Sequence, residues 1–292
     1  MSVSEDRVLL TLGARYQKLE QHTYNYDTGA ENCRALGTGQ ACGYDQGVTT
    51  PVVGIVYKPT PHYSLYANYA EGLIPGDVAP TTSGGIVVSN PGVALDPFKS
   101  KQAEVGAKYD SGNFGMTAAI FRVTKPSAIV ENTVFRANGE QRNEGIELGW
   151  FGQPLQGLRL LGGITFLRAE NTKTQGGLGN GTDVIGVPHT QANIGAEWDV
   201  PGLPALSLDG RVVYTSSTPA SADNSLELSS WTRLDIGARY AAHMMDKELT
   251  FRARFDNVTG KDYWASAGGS FNANYLVLGQ PRTFSLSVSI DL

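Results

Sequence analysis

The residues equipped for chemistry are few. Two cysteines, Cys33 and Cys42, stand with eight residues between them in Asn-Cys-Arg-Ala-Leu-Gly-Thr-Gly-Gln-Ala-Cys-Gly. Zinc sites usually take four ligands in tightly spaced pairs, and no histidine stands near these two. The spacing fits a small disulfide-closed loop in an oxidising compartment, with two unpaired loop thiols as the alternative. The four histidines, His22, His62, His189 and His243, show no metal-pair spacing. His189 could serve a hydrolase only beside an activated serine, and no Gly-x-Ser-x-Gly segment supplies one. We therefore assign no catalytic residue and no metal ligand.

The elements that would position any site are strands. The 292 residues hold 35 glycines and 14 prolines but only 17% charged side chains. Soluble domains average about 25% charged, and this composition disfavours helical bundles and charge-rich disorder. No apolar run exceeds four residues, as at Ala118–Phe121, so neither a membrane helix nor a signal-peptide core is present. The net charge of −5 leaves no basic footprint for nucleic acid.

Alternation of period two recurs along the whole chain, most cleanly where Phe284, Leu286, Val288 and Ile290 interleave with Ser285, Ser287 and Ser289. Twelve strands are predicted, near 7–17, 48–57, 62–70, 99–109, 114–123, 141–151, 158–168, 187–199, 205–215, 231–240, 248–257 and 281–292. Short connections (58–61, 110–113, 152–157, 200–204, 241–247) alternate with long ones (18–47, 71–98, 124–140, 169–186, 216–230, 258–280). That alternation describes an all-β, antiparallel up-and-down wall.

Tyr57, Tyr63, Tyr109, Phe114, Trp150, Trp198 and Tyr240 sit on the apolar face beside short turns. Tyr16, Tyr69, Phe166, Tyr214 and Phe255 sit on it towards the long loops. Two aromatic girdles around an aliphatic band (Val105, Ala107, Ile146, Leu148, Ile194, Ala196, Leu234, Ile236) fit a transmembrane β-barrel wall rather than a soluble sandwich. Ile146, Leu148, Ile194, Ala196, Leu286 and Val288 are then expected on lipid, with Glu147, Glu197 and Ser287 on the lumen. The opposite face carries Glu104, Lys108, Arg159, Asp209, Arg211, Arg233, Asp235, Arg239, Arg252, Arg254 and Asp256. Arginine on mid-bilayer lipid would cost roughly 2–4 kcal/mol, so these charges are expected inside.

The segment Phe255-Asp256-Asn257-Val258-Thr259-Gly260-Lys261-Asp262-Tyr263-Trp264-Ala265-Ser266 resembles the penultimate-strand signature of TonB-dependent siderophore receptors. Leu278-Gly279-Gln280-Pro281-Arg282-Thr283-Phe284 resembles their approach to the last strand. Gly13-Ala14-Arg15-Tyr16, Gly54-Ile55-Val56-Tyr57-Lys58-Pro59, Tyr66-Ala67-Asn68-Tyr69-Ala70-Glu71-Gly72 and Arg142-Asn143-Glu144-Gly145-Ile146-Glu147-Leu148 are similar to earlier family strands, in order. The resemblance covers residues 1–292 and implies the C-terminal portion of a plugged barrel of about 22 strands. No segment resembles the plug or the box that engages TonB, and Leu292 stands where the family ends in an aromatic residue.

The resemblance implies a Gram-negative outer-membrane receptor for a ferric siderophore. The siderophore carries the iron, so no resident cofactor is expected, and outer-membrane lipid is the surrounding partner. The TonB system would act only through the plug. Large-loop aromatics are the implied ligand contacts: Tyr24, Tyr26, Tyr44, Tyr263, Trp264, Phe271 and Tyr275, whose flat rings give contact area at low entropy cost. The alternative is a passive pore formed by closing the twelve strands, which requires the first strand to pair with the last.

Overall fold

The computed structural model describes residues 2–3, 7–36, 39–244, 247–270 and 273–290. Twelve long strands run in chain order: β1 (Val8–Gln21), β2 (Tyr44–Thr60), β3 (Tyr63–Ile74), β4 (Phe98–Asp110), β5 (Phe114–Glu131), β6 (Val134–Leu155), β7 (Leu158–Lys173), β8 (Thr190–Asp199), β9 (Leu206–Thr215), β10 (Trp231–Met244), β11 (Lys247–Asp256) and β12 (Thr283–Ile290). Each pairs antiparallel with its sequence neighbours in a single sheet. The twelve-strand up-and-down architecture is as expected. The sheet does not close on itself: among the described residues β1 does not pair with β12, and Val8 and Leu9 of β1 pair instead with Ser2–Val3. The passive-pore alternative loses the contact it required.

The two faces follow the sequence pattern. Leu12, Val105, Ile120, Leu161, Leu286 and Val288 are exposed, a distribution that is unfavourable in water. All of these except Leu161 belong to the apolar face, which Ile146, Leu148, Ile194 and Ala196 share. Leu161 lies on the polar face, in register with Phe151 and Gly195.

The long connections differ from the sequence reading. Residues 124–140 form no loop: β5 and β6 continue as a ladder to Glu131↔Val134 and turn at Asn132 and Thr133, both at positive φ. The bulge between Ser127 and Ile129 follows Pro126, which cannot donate to the ladder. Connection 18–47 contains the hairpin Cys33–Leu36/Gly39–Cys42, and connection 258–280 contains Trp264–Ser270/Ala273–Leu278. A buried cluster lies outside the spanning part of the wall, where Ala79 and Val88 of the β3–β4 connection pack on Val130 and Phe135. Gln175 ties a third connection to it: its amide donates to the Ser83 carbonyl and accepts from the Val130 N–H and the Ser83 hydroxyl.

Candidate functional site

The hairpin at 264–278 is the best-anchored aromatic surface among the long connections. Its base rests on Asp235 of β10, whose side chain has no exposed surface. Arg211 donates to Asp235 Oδ2 from Nε (3.0 Å) and Nη2 (2.8 Å), and Arg233 from Nη2 (3.1 Å). The other carboxylate oxygen, Oδ1, accepts the backbone N–H of Asn257 at 2.9 Å. Arg254 lies 3.8 Å from the same carboxylate and donates to Asp209 (2.9 Å) and Asp256 (2.8 Å). A carboxylate with no solvent is tolerated because three guanidiniums and an amide replace its water.

Asn257 converts this cluster into a clamp. It takes φ +52°, which asparagine accepts more readily than most residues, and reverses the chain at the end of β11. Its Nδ2 donates to the carbonyls of Lys261 (2.9 Å) and Gln280 (3.1 Å), and its Oδ1 accepts the Lys261 N–H. Both legs of the connection are thereby tied to one side chain. Tyr263 stacks on Trp231 with ring centroids 4.2 Å apart, and its hydroxyl accepts the Gln280 N–H at 3.3 Å. Arg233 Nη1 donates to Gln280 Oε1 at 3.1 Å. Beyond the clamp Trp264 and Tyr275 are exposed, with Tyr275 lying over Gly268, where any side chain would collide with its ring.

The other implied contacts fall differently. Tyr26 is 99% exposed and Tyr24 largely so, in the segment before the disulfide hairpin. Tyr44 is corrected: it is not a loop residue but the first of β2, and only 5% of it is exposed. Its hydroxyl donates to the Leu95 carbonyl at 3.1 Å and accepts the Gly76 N–H at 2.9 Å, so it fastens the β3–β4 connection and offers a ligand almost no surface. Tyr263 is half-buried in the clamp, and Phe271 lies outside the described residues. Trp264 and Tyr275 are therefore exposed rings of one hairpin, and Tyr24 and Tyr26 belong to a separate connection, between β1 and β2.

Cys33 and Cys42 form a disulfide across register-opposed positions. Glu31 lies beside both sulfurs, but a disulfide offers no thiolate to a metal. The imidazole of His22 faces Glu31 Oε1 through Nδ1 (2.6 Å) and Glu20 Oε1 through Nε2 (3.1 Å). Those hydrogen bonds, with Glu31 foremost, hold the His22 pKa above its ordinary value.

Nothing in the alternation alone marks Asn257 and Asp235 as site residues. The signal was present in Asp256-Asn257-Val258-Thr259-Gly260, where Asn and Gly in the residues after an alternating strand mark a chain reversal.

The sequence profile described as TonB dependent receptor-like, beta-barrel matches residues 1–258. The ferrichrome receptor FcuA of Yersinia enterocolitica is 41% identical over 100% of this chain and 37% of its own length. Among solved structures, BauA, the ferric preacinetobactin receptor of Acinetobacter baumannii, superposes with TM-score 0.84 and 41% identity, covering 100% of this chain and 41% of that one. The siderophore receptor PiuA of the same organism gives TM-score 0.76 and 25% identity over 97% of this chain and 41% of its own. The chain thus spans about two fifths of the length of these relatives. With its twelve-strand wall, its lipid-facing band and a profile match across most of its residues, this chain belongs to the TonB-dependent receptor β-barrel family of outer-membrane transport receptors.

Proposed function

We propose that this wall belongs to a receptor that takes up iron as a ferric siderophore, with the clamped hairpin at 264–278 supplying part of the external binding surface. The observation that carries the reading is the 41% identity along the entire chain to a ferrichrome receptor and to a ferric preacinetobactin receptor. The chelate brings its own iron ligands, so the protein has to recognise shape and an organic surface rather than bare metal. Trp264 and Tyr275 suit that task, being exposed rings on a hairpin whose base is fixed before binding, which lowers the ordering cost. Energised uptake would require a plug and the TonB system.

The test is a chimera in which this wall replaces the matching region of the Yersinia ferrichrome receptor. Ferric-siderophore binding by the chimera, weakened by about 1 kcal/mol or more in Trp264→Ala or Tyr275→Ala, is the expected result. Full affinity in both variants would remove the hairpin from the binding surface. Failure of a folded chimera to bind either ferrichrome or ferric preacinetobactin would overturn the siderophore reading for these two chelates.

A further inference from the structure

On the polar face Arg159, Arg211, Arg233, Arg239 and Arg254 pair with carboxylates of the same face. A second group lies on the opposite face, directly above the aliphatic band at its external edge. Ala103, Arg122, Glu144 and Arg168 stand on one rung of β4, β5, β6 and β7, and Lys101, Thr124, Arg142 and Glu170 stand on the next. Two positions below Arg122, Glu144 and Arg168 are Ile120, Ile146 and Phe166, all exposed on the lipid-facing side. Four cations therefore stand beside two carboxylates on these rungs, and three of them, Arg122, Arg142 and Arg168, pair with those carboxylates, in a chain whose net charge is −5. Arginine near a membrane interface costs about 0–1 kcal/mol, against 2–4 at the midplane, so this rung marks where lipid tails give way to headgroups.

The carboxylates do not exhaust the guanidiniums. Glu170 has 14% of its side chain exposed and lies 3.2 Å from Arg168 and 3.4 Å from Arg142. Glu144 lies 2.9 Å from Arg122 and 3.8 Å from Arg142. Arg122 and Arg168, at the ends of the cluster, keep 62% and 63% of their side chains exposed. Each guanidinium has five N–H donors, and one carboxylate oxygen satisfies only part of that fork. A groove of about 670 Å³ lies beside them, lined by Val105, Ile120 and Ile146 of one rung and by Ala103, Arg122 and Glu144 of the next.

Given the lipid-facing assignment of this face, we propose that the rung and groove together bind a membrane lipid with an anionic phosphate headgroup. The phosphate meets the exposed forks of Arg122 and Arg168, and an acyl chain lies in the groove. Charge complementarity selects the headgroup, since planar guanidiniums match phosphate oxygens, and the continuity of the groove with the aliphatic band selects a lipid over a free anion.

The 292-residue chain in detergent micelles is titrated with dioleoylphosphatidic acid and with zwitterionic dioleoylphosphatidylcholine, and bound lipid is counted by native mass spectrometry. Phosphatidic acid is retained in preference. Arg122→Gln with Arg168→Gln lowers its affinity by about tenfold, the scale of lost charge-assisted hydrogen bonds. Glu144→Gln with Glu170→Gln breaks the same ion pairs but leaves the cations, and retention holds or rises. Equal retention of the two lipids, or equal loss in both double variants, overturns the proposal. Complete displacement by inorganic phosphate also overturns it, because the site would then be an anion site to which the acyl chain contributes nothing.

Discussion

The connection between β1 and β2 is closed by a disulfide and by ion pairs at the surface, whereas the connection between β11 and β12 hangs from a buried carboxylate. The first holds Cys33 to Cys42 covalently and straps the segment to β1 through His22, Glu20 and Glu31. The second uses no covalent link; Asp235, Asn257 and Tyr263 fix both legs from below. A cross-link acts chiefly on the unfolded ensemble and needs little from its neighbours. A buried carboxylate is held only while all its partners are present, so the second loop is coupled to β9, β10 and β11 together.

If that contrast is correct, Asp235→Ala has the largest effect. It leaves Arg211, Arg233 and Arg254 without their shared carboxylate and should destabilise the chain by about 3–5 kcal/mol in urea unfolding from micelles. A loss below about 1 kcal/mol, the scale of an ordinary surface ion pair, would equate the two anchors and break the comparison. Replacing both cysteines by serine should cost less, below the roughly 3 kcal/mol associated with a fifteen-residue loop. The loss should appear as faster hydrogen exchange in 22–32 and not in 258–270.

Tyr263→Ala and Trp264→Ala should separate anchoring from recognition. The first removes the stack on Trp231, worth about 0.5–1.5 kcal/mol beyond area burial, and lowers stability. The second removes an exposed ring and leaves unfolding within about 0.5 kcal/mol of the parent. Reversed outcomes would exchange their roles.

The smallest effect is one of pH. With a carboxylate at each ring nitrogen, His22 donates both hydrogen bonds only as the imidazolium. Its folded pKa is raised, so the strap is complete below the unfolded value of about 6.5 and is lost as pH rises through the folded pKa. Hydrogen-exchange protection at 22–32 should fall over that interval above 6.5, and His22→Gln should abolish the dependence. The other loop, with no histidine in its clamp, should show no matching step.

The strands were readable because lipid demands an apolar residue at every second position; Leu286 and Ser287 need no neighbours to declare their faces. Where the chain leaves the bilayer that demand lapses. Lys125 to Gln141 carry polar residues on both faces, and so the pattern there reads as a loop although the strands continue. Tyr44 was misplaced for a related reason, since nothing local shows that its hydroxyl reaches a carbonyl 51 positions away. Arg211, Arg233, Asp235 and Arg254 were all assigned to the correct face, but their convergence depends on the registers of three strands. Alternation gives a face and not a register.

The ladder between β5 and β6 runs from Phe114↔Gly152 to Glu131↔Val134 and is joined by two residues. Closing so short a connection costs little chain entropy, and each further rung adds contacts between residues already brought together. The ladders that flank the disulfide hairpin and the clamped hairpin must first close connections of more than twenty residues. In kinetic terms the β5–β6 hairpin, which carries the longest of the ladders joined by two residues, is well placed to form early and to serve as a template on which β4 and β7 add. Its rungs include Arg122 and Glu144, so the outward charge pair would be assembled at the start of folding, before the wall has curvature or neighbours.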